Sequence, residues 1–596
     1  MEEKVNRYKS QIPYSHFINI WRGLHRNNPN YSHYYNTQND VVKITNTQIL
    51  GEAIHVHNEN LPQLTLVSCE IDYLIISSSN VKGVILQDTI IHQKILVKQN
   101  SRVNEIAISN NSNIHGIQID SSELCFLSTS NATVNQINNV NKSKIEHLTL
   151  DNSQIKYLTS GQKSIFVKIH ITLSTISHLS LINSYIDSLQ IWQKSKIDTL
   201  NLSDRMTINT VLIDRQIDIV NFTIYSSSIY DLKLSNSSFE SIHFSGVKLF
   251  NVKLENLIKL NSLICSDSSY IEHLSISTQK LSSAIFRQAT FYILDIIDCQ
   301  LSKDSFLSIS NSQLNKLKIS NSLFGGTFML NAVSSITELN RFIEYPQGPF
   351  ATEFKEFEFR KESEESLLRI AESDLGKAQF IGCNFSKFNK FEYKNSKMLE
   401  VFVADTEFPS RQNIHHPDKN ATPVQVLEQQ RLALSQFKKI YENRGDNIRA
   451  TQALAEEVET YRAQLKLEKP STQKERWNNR TERFNLWLNR ISNYHGNNWF
   501  RAATVTVLIN WLFFYLYSLS LGFTLGDDWN MFGKLLASSF DFLNPVHKTD
   551  FLVDRFDFTL KIGGMAIFVD NLSRIVIAYF VYQTIAAFRK FGKKSG

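Results

Sequence analysis

The residues best placed to do chemistry in this chain lie near its C-terminal end. Asp570 and Arg574 stand four apart in an apolar stretch, so a helix would put a carboxylate and a guanidinium on one face at membrane depth. Such a pair is a candidate functional site or an ordinary ion pair at the outer interface. Asn510 and Gln583 share those apolar surroundings, where an amide either faces a pore or bonds across helices. No comparable group is found elsewhere. His55 and His57 alternate along a strand-like run, and His415-His416 fall in a loop, in both cases without acidic or cysteine partners at metal-ligand spacing. The five cysteines, Cys69, Cys125, Cys265, Cys299 and Cys383, are widely spaced with no C-x-x-C pair, so packing in a reducing compartment is the expected role. There is no P-loop, no G-x-G-x-x-G and no G-x-S-x-G. Neither an enzyme nor a cofactor or metal site is expected.

The elements that carry Asn510, Asp570, Arg574 and Gln583 are apolar enough to cross a bilayer. Ala502 to Gly526 holds no charge, as a transmembrane helix requires. Ile575 to Ala587 is short by itself and spans only if its helix extends upstream past Arg574. Between the two, Trp529 to Leu543 is amphipathic, too short to cross, and stopped by Asn544-Pro545. Ahead of them comes a basic linker with Lys474, Arg476, Arg480 and Arg483. A short amphipathic helix then carries Phe484, Trp487, Leu488 and Ile491, with Gly496 to end it. Arg483, Trp487, Arg490, Trp499 and Arg501 are the expected anchors at the lipid interface. Basic residues crowd before the first span and after the second. The positive-inside rule therefore predicts an inner-membrane, multi-pass protein with both termini cytoplasmic.

Most of the chain follows a different rule. From Ile229 the positions Leu234, Phe239, Phe244, Leu249 and Leu254 are apolar at every fifth residue, with Leu232, Ile242 and Val252 between. Neither a helix nor a flat strand gives that period; a chain turning a corner every five residues does. Good copies recur at Ile145, Leu150, Ile155; at Ile176, Leu181, Ile186, Ile191; and at Ile309, Leu314, Ile319, Phe324, Met329. Two residues before each main apolar position a large residue (Leu148, Leu179, Leu232, Leu317) alternates with a small one (Ser153, Ser184, Ser237, Ser312, Ser322). Asn152, Asn183, Asn236, Asn311 and Asn321 precede those serines. The alternation makes ten residues half of a coil of roughly 20, with stacked Asn and Ser bonding between coils. A leucine-rich repeat has a similar signature but needs about 20–29 residues per unit, and copies here start every ten.

At this point the chain resembles the pentapeptide-repeat family, in degenerate form, over about 41–330 and 375–408. The resemblance implies a right-handed, four-sided parallel β-helix, and about fourteen coils would make a rod on the order of 65 Å long. Coils slip by one residue, as between Ile186 and Ile197.

The expected organisation is then an N-terminal cap over 1–40, the β-helix over 41–330, and an insertion or break over 331–374 containing Pro346, Gly348 and Pro349. Final coils over 375–410 include Phe380, Phe385, Phe388, Phe391 and Met398. A helical hairpin follows over 411–470, started by Thr422-Pro423 and broken at Gly445-Asp446, resembling a tetratricopeptide-type hairpin. The linker and interfacial helix occupy 471–498, and a membrane hairpin with a re-entrant-like short helix occupies 499–596. The first ten residues are charged and lack an apolar run, so no export signal is expected.

Some pentapeptide-repeat proteins carry a channel-like two-helix module, which Arg483 to Arg490, Ser492-Asn-Tyr494 and Trp499 resemble. The stretch after the short helix, Phe542 to Asp550, lacks the T-x-G-Y-G run that replaces potassium hydration. Mimicry of duplex DNA, another use of such rods, requires a strongly acidic surface. Val41 to Leu330 instead carries roughly two dozen charges of each sign, and no nucleic-acid partner is expected. The functional expectation is a membrane-tethered scaffold or sensor that meets lipid and a protein partner. The alternative is a homo-oligomeric channel gated by the rod.

Overall fold

In the computed structural model the described residues are 10–36, 41–50, 53–278, 281–336, 365–398, 400–495, 498–522, 529–544, 546–556 and 562–592. They form two compact units, divided between Pro409 and Ser410.

The first unit is a parallel β-solenoid of about 16 turns. Each strand pairs with the strand one coil on, so alternate strands build two long parallel sheets. Register gives the coil length directly: Ile229 pairs with Leu249, Ile145 with Phe166, and Phe291 with Leu314. Coils therefore hold 20 to 23 residues, two ten-residue halves with small excesses. The organising residues Ile229, Leu234, Phe239, Phe244, Leu249 and Leu254 all point inward and are buried, as are Leu232, Ile242 and Val252.

Each half has two corners. One falls at the third residue of the strand, where the ladder skips a pair: Leu124 pairs with Ile145 and Phe126 with His147, but Cys125 and Glu146 are not paired. The other is a left-handed residue between strands. Asn152, Asn183, Asn236, Asn311 and Asn321 all have positive φ there, a conformation that asparagine tolerates better than most side chains. Their main role is thus to turn the chain, although Asn152 also donates to Asn131 and Asn236 to Asp214 (2.8 Å) in the neighbouring coil. The one-residue slips have the same cause. Between Ile186 and Ile197 the corner is two residues long, and both Gln193 and Lys194 are left-handed.

Where serine or threonine follows the left-handed corner it is buried and bonds between coils, whereas Met206, Ile217, Val247 and Leu257 fill that place with apolar bulk. Ser174 Oγ donates to Thr172 O (2.7 Å) and accepts from the backbone N–H of Ser153 in the coil before (3.1 Å). The Ser174 N–H in turn donates to Ser195 Oγ (3.3 Å). Cys299 and Cys383 occupy equivalent positions, their thiols donating to Ile297 O (3.5 Å) and Ile381 O (3.4 Å). Burial pushes both thiols up to about 11. Cys265 is likewise buried and pushed up to about 12.

At the N-terminal end, the helix α1 (Tyr14–Trp21) buries Phe17, Ile18, Ile20 and Trp21, and the Trp21 indole donates to Pro62 O (3.1 Å). The expected break over 331–374 lies mostly outside the described residues, but its boundary moves. Leu367–Ala371 is a solenoid strand paired with Lys316 to Ser320, so the coils resume at Ser366 rather than at 375. Phe380, Phe385, Phe388, Phe391 and Met398 are buried in the coils that follow.

The second unit is helical. In α2 (Pro423–Arg444) Thr422 and Gln425 form a capping box, with Pro423 in the first turn. Gly445 ends the helix at φ +80°, and Asp446 caps α3 (Asn447–Leu467) by accepting from Arg449 N (3.1 Å). The buried face of α2 includes Leu434, Phe437 and Tyr441. On α3 the small and polar residues Ala450, Ala453, Thr460 and Gln464 are buried, whereas Leu454, Val458 and Tyr461 are only half-buried.

The basic linker is not a linker. α4 (Gln473–Asn493) is one continuous helix beginning at a Thr472–Glu475 capping box, so Lys474, Arg476, Arg480 and Arg483 are all helical. Glu475 reaching back to the Thr472 N–H gives the sequence a start signal that its basic character obscures. The helix stops at Tyr494, which is left-handed (φ 50°), two residues before Gly496, which lies outside the described residues.

Candidate functional site

The helices α5 (Trp499–Ser520) and α8 (Gly564–Gly592) are long and apolar enough to cross a membrane. Their most apolar stretches have mean hydropathies of 1.6 and 1.5. The second extends upstream past Arg574 to Gly564, as spanning demands. Asn498 caps α5 by accepting from Arg501 N (2.8 Å).

These helices are sorted inside out. Large apolar side chains are exposed: Leu508, Trp511, Leu512 and Leu519 on α5, and Phe568, Ile575, Ile585 and Phe588 on α8. Polar ones are buried: Thr506, Asn510 and Ser518 on α5, Asp570 and Ser573 on α8. Thr506 and Thr584 hydroxyls meet across the pair at 2.8 Å, and Thr506 Oγ1 also reaches Phe580 O at 3.2 Å.

α6 (Trp529–Phe542) and the short α7 (Phe551–Arg555) lie between them in the chain. Leu535, Phe542 and Leu552 pack with Phe514, Tyr517, Ala566 and Ile577 in one buried cluster. Asn510 Nδ2 donates to Ser539 O (2.7 Å), tying α5 to α6, while its buried Oδ1 has no hydrogen-bond partner.

At one end of this cluster a polar network closes on Asp570, whose side chain is 0 % exposed. His547 Nε2 sits 2.7 Å from Asp570 Oδ1. Arg574 reaches Oδ2 through Nε (3.1 Å) and Nη2 (2.9 Å). The same Nη2 donates to His547 O (2.7 Å) and Thr549 Oγ1 (3.1 Å), and Tyr517 donates to Thr549 O. A buried carboxylate is tolerated when paired and hydrogen-bonded on both oxygens, and both are engaged here. The network fastens the loop after α6 to α8 and α5.

Of the sequence-derived candidates, Asp570 and Arg574 are thus in direct contact. Asn510 serves a separate α5–α6 bond, and Gln583 is half-buried farther along α8. His547, Tyr517 and Thr549 escaped the sequence reading: His547 lies 23 residues from Asp570 in a loop with no periodicity to align them. Arg483 and Trp487 are exposed on α4. Arg490 is 3.4 Å from Glu459, Trp499 packs on Phe588 (ring centroids 4.8 Å apart), and Arg501 Nε donates to Ile491 O (3.2 Å). Trp477, 71 % exposed, and Phe484 extend the aromatic set on α4.

Glu459 of α3 also holds His495 (3.0 Å) and Arg462 (3.6 Å). Burial keeps the His495 imidazole below its ordinary range, outweighing the opposing pull of Glu459.

Fold and site together define a β-solenoid protein with two helices of membrane-spanning length and composition. No protein-family model, no curated protein and no solved structure matches the chain.

Proposed function

We propose that this protein is a membrane-associated scaffold, not an enzyme, whose solenoid binds a protein partner while α5 and α8 hold it in the bilayer. The observation that supports this most is the inside-out sorting of those two helices. Leaving Leu508, Trp511, Phe568 and Ile575 in water costs about 1.5–3 kcal/mol for each side chain of this size relative to burial, and lipid removes that cost. On this reading the ten-residue half-coil is a pair of degenerate pentapeptide repeats. The exposed Trp477, Phe484 and Trp487, bordered by Arg480 and Arg483, support an interfacial position for α4. The basic residues before α5 and after α8 favour a cytoplasmic side for both ends of the membrane hairpin and, with them, for the solenoid.

The channel reading draws on a different observation, the buried and unpartnered Asn510 Oδ1 beside a short helix between two spans. Two spans cannot enclose a pore in one chain, so conduction requires several copies.

The test is fractionation followed by reconstitution. The full chain should stay with membranes through high salt and alkaline washing, need detergent for release, and co-purify with a stoichiometric protein partner. Release by salt alone would refute the membrane reading. Ion flux in liposomes containing only the purified chain would favour the channel.

A further inference from the structure

One side of the solenoid carries no charge over its whole middle length. In one sheet the fourth and sixth residues of each strand form two outward columns. From Gly116 and Gln118, register carries the first column through Gln136, Tyr157, His178, Thr199, Asn221, Ser241, Ser262, Ser283 and Phe306 to Thr327. The second runs through Asn138, Thr159, Ser180, Asn201, Thr223, His243, Ile264, Ile285 and Ser308 to Met329. None of these 22 residues, over 11 coils, is Asp, Glu, Lys or Arg. The corresponding columns of the other sheet, from Glu105 to Lys318, hold eight: Glu105, Lys168, Asp231, Lys233, Lys253, Asp295, Lys316 and Lys318. The chain is 20% charged, so about four would fall on any 22 positions taken at random. From Gln136 to Ile285 every member of the uncharged columns is half-buried or exposed, so the columns form surface.

We propose that this face pairs with the same face of a second copy of the chain. Three features favour a copy of itself over an unrelated partner. A two-fold interface sets a patch against itself, so a face with an excess of one sign meets like charge, and this side has none to repel. Its Ser, Thr, Asn and Gln side chains each donate and accept, which makes the face complementary to itself. Both copies also repeat at the inter-strand spacing of about 4.8 Å, so identical columns interdigitate at every coil, as stacked low-charge strands do in dry sheet-to-sheet interfaces. Eleven coils and four strand residues give a patch on the order of 50 Å by 13 Å. A pair would bury about 1,300 Å², within the range of specific interfaces. The face is already ordered by bonds between its own coils, such as Ser241 Oγ to Asn221 Oδ1 at 2.8 Å, so little side-chain freedom remains to be lost on pairing. This inference stands independently of the membrane reading.

The test uses the full chain in detergent, its mass measured by light scattering and native mass spectrometry with the detergent subtracted. The expected species is a dimer or a higher even oligomer. Two variants place like charges at the middle of the face: Thr199→Lys with Asn201→Lys, and Thr199→Glu with Asn201→Glu. Each alone should raise the dissociation constant at least tenfold, and mixing them should restore association as a mixed pair. A control, Thr210→Lys with Leu212→Lys on the opposite columns, should leave association unchanged and shows that added charge itself does not unfold the coil. A monomeric wild-type chain at tens of micromolar, or an oligomer that survives both charged variants, would overturn the proposal. A monomer that instead captures a neutral glycan or a different protein on this face would overturn it equally.

Discussion

Where a buried hydroxyl follows the corner, as at Ser174, it carries two bonds, so its removal is more damaging than its size suggests. Ser174→Ala orphans the Ser153 N–H inside the stack and should cost about 1–3 kcal/mol. Ser174→Cys should cost much less, because Cys299 and Cys383 already fill such positions with a thiol that donates to the same kind of carbonyl. Urea denaturation followed by hydrogen exchange in the coils around 174 compares the two. Leu173 tests the corner beside it. It is left-handed at φ 49° and exposed, a conformation that costs most L-residues about 1–2 kcal/mol. Leu173→Asn should therefore stabilise, by about 1 kcal/mol, through the local preference of asparagine for that region. His495 contributes a pH dependence to the helical unit. Its folded pKa is depressed by burial, so below about pH 6.5 the unfolded chain takes up the proton first. Stability contributed by the neutral ring is complete above that pH and falls as pH drops toward the folded pKa. Exchange rates of α3 and α4 amides, corrected for intrinsic chemistry, should rise on acidification, and His495→Gln should flatten the trend.

Among the elements, α8 depends most on one pairing. Arg574→Met leaves the Asp570 carboxylate buried with His547 alone, and breaking a buried pair typically costs about 3–5 kcal/mol. Thermal unfolding in detergent, read at the membrane unit, should fall accordingly, whereas Gln583→Met should shift it far less. The elements also mark how far the sequence could be read. The coil halves were legible because each inward residue recurs at a fixed offset, and even the slip at Ile186 to Ile197 was visible, though its double left-handed corner at Gln193-Lys194 was not. The hairpin start at Thr422 and its break at Gly445 were legible from local cap chemistry. The start of α4 was not, because its basic residues conceal the box formed by Thr472 and Glu475. The resumption of coils at Ser366 was also missed, since Leu367 to Ile370 alone is too short to show a period. His547 was invisible for the opposite reason: only the packing of α6 against α5 and α8 brings it to Asp570.

At the scale of the whole molecule the solenoid and the α5–α8 pair follow opposite solvation rules. The solenoid encloses its apolar residues and stacks them coil on coil, so its stability is approximately a sum of neighbour terms and should be lost in stages. The α5–α8 pair does the reverse, enclosing Thr506, Asn510 and Asp570 while presenting Trp511, Phe568 and Ile575 outward. Limited proteolysis of the chain in detergent should therefore act first near the division at Pro409 and Ser410, leaving a β-rich and a helical fragment. A single cooperative unfolding transition spanning both fragments would contradict that division.

The unpaired third residue of each strand has a practical side. The chain leaves one coil after Ile336 and re-enters it by Ser366, with Ser334-Ser335 and Leu367–Ala371 seated on consecutive parts of the same strand, Gln313 to Ser320. The ladder keeps its register on either side of that skipped position although Ser335 and Leu367 stand 32 positions apart in the sequence. Every other skipped position, Cys125, Glu146 and Asn209 among them, is by the same geometry a docking port in the backbone, where a fluorescent protein or an epitope could be spliced in while the stack above and below keeps its count.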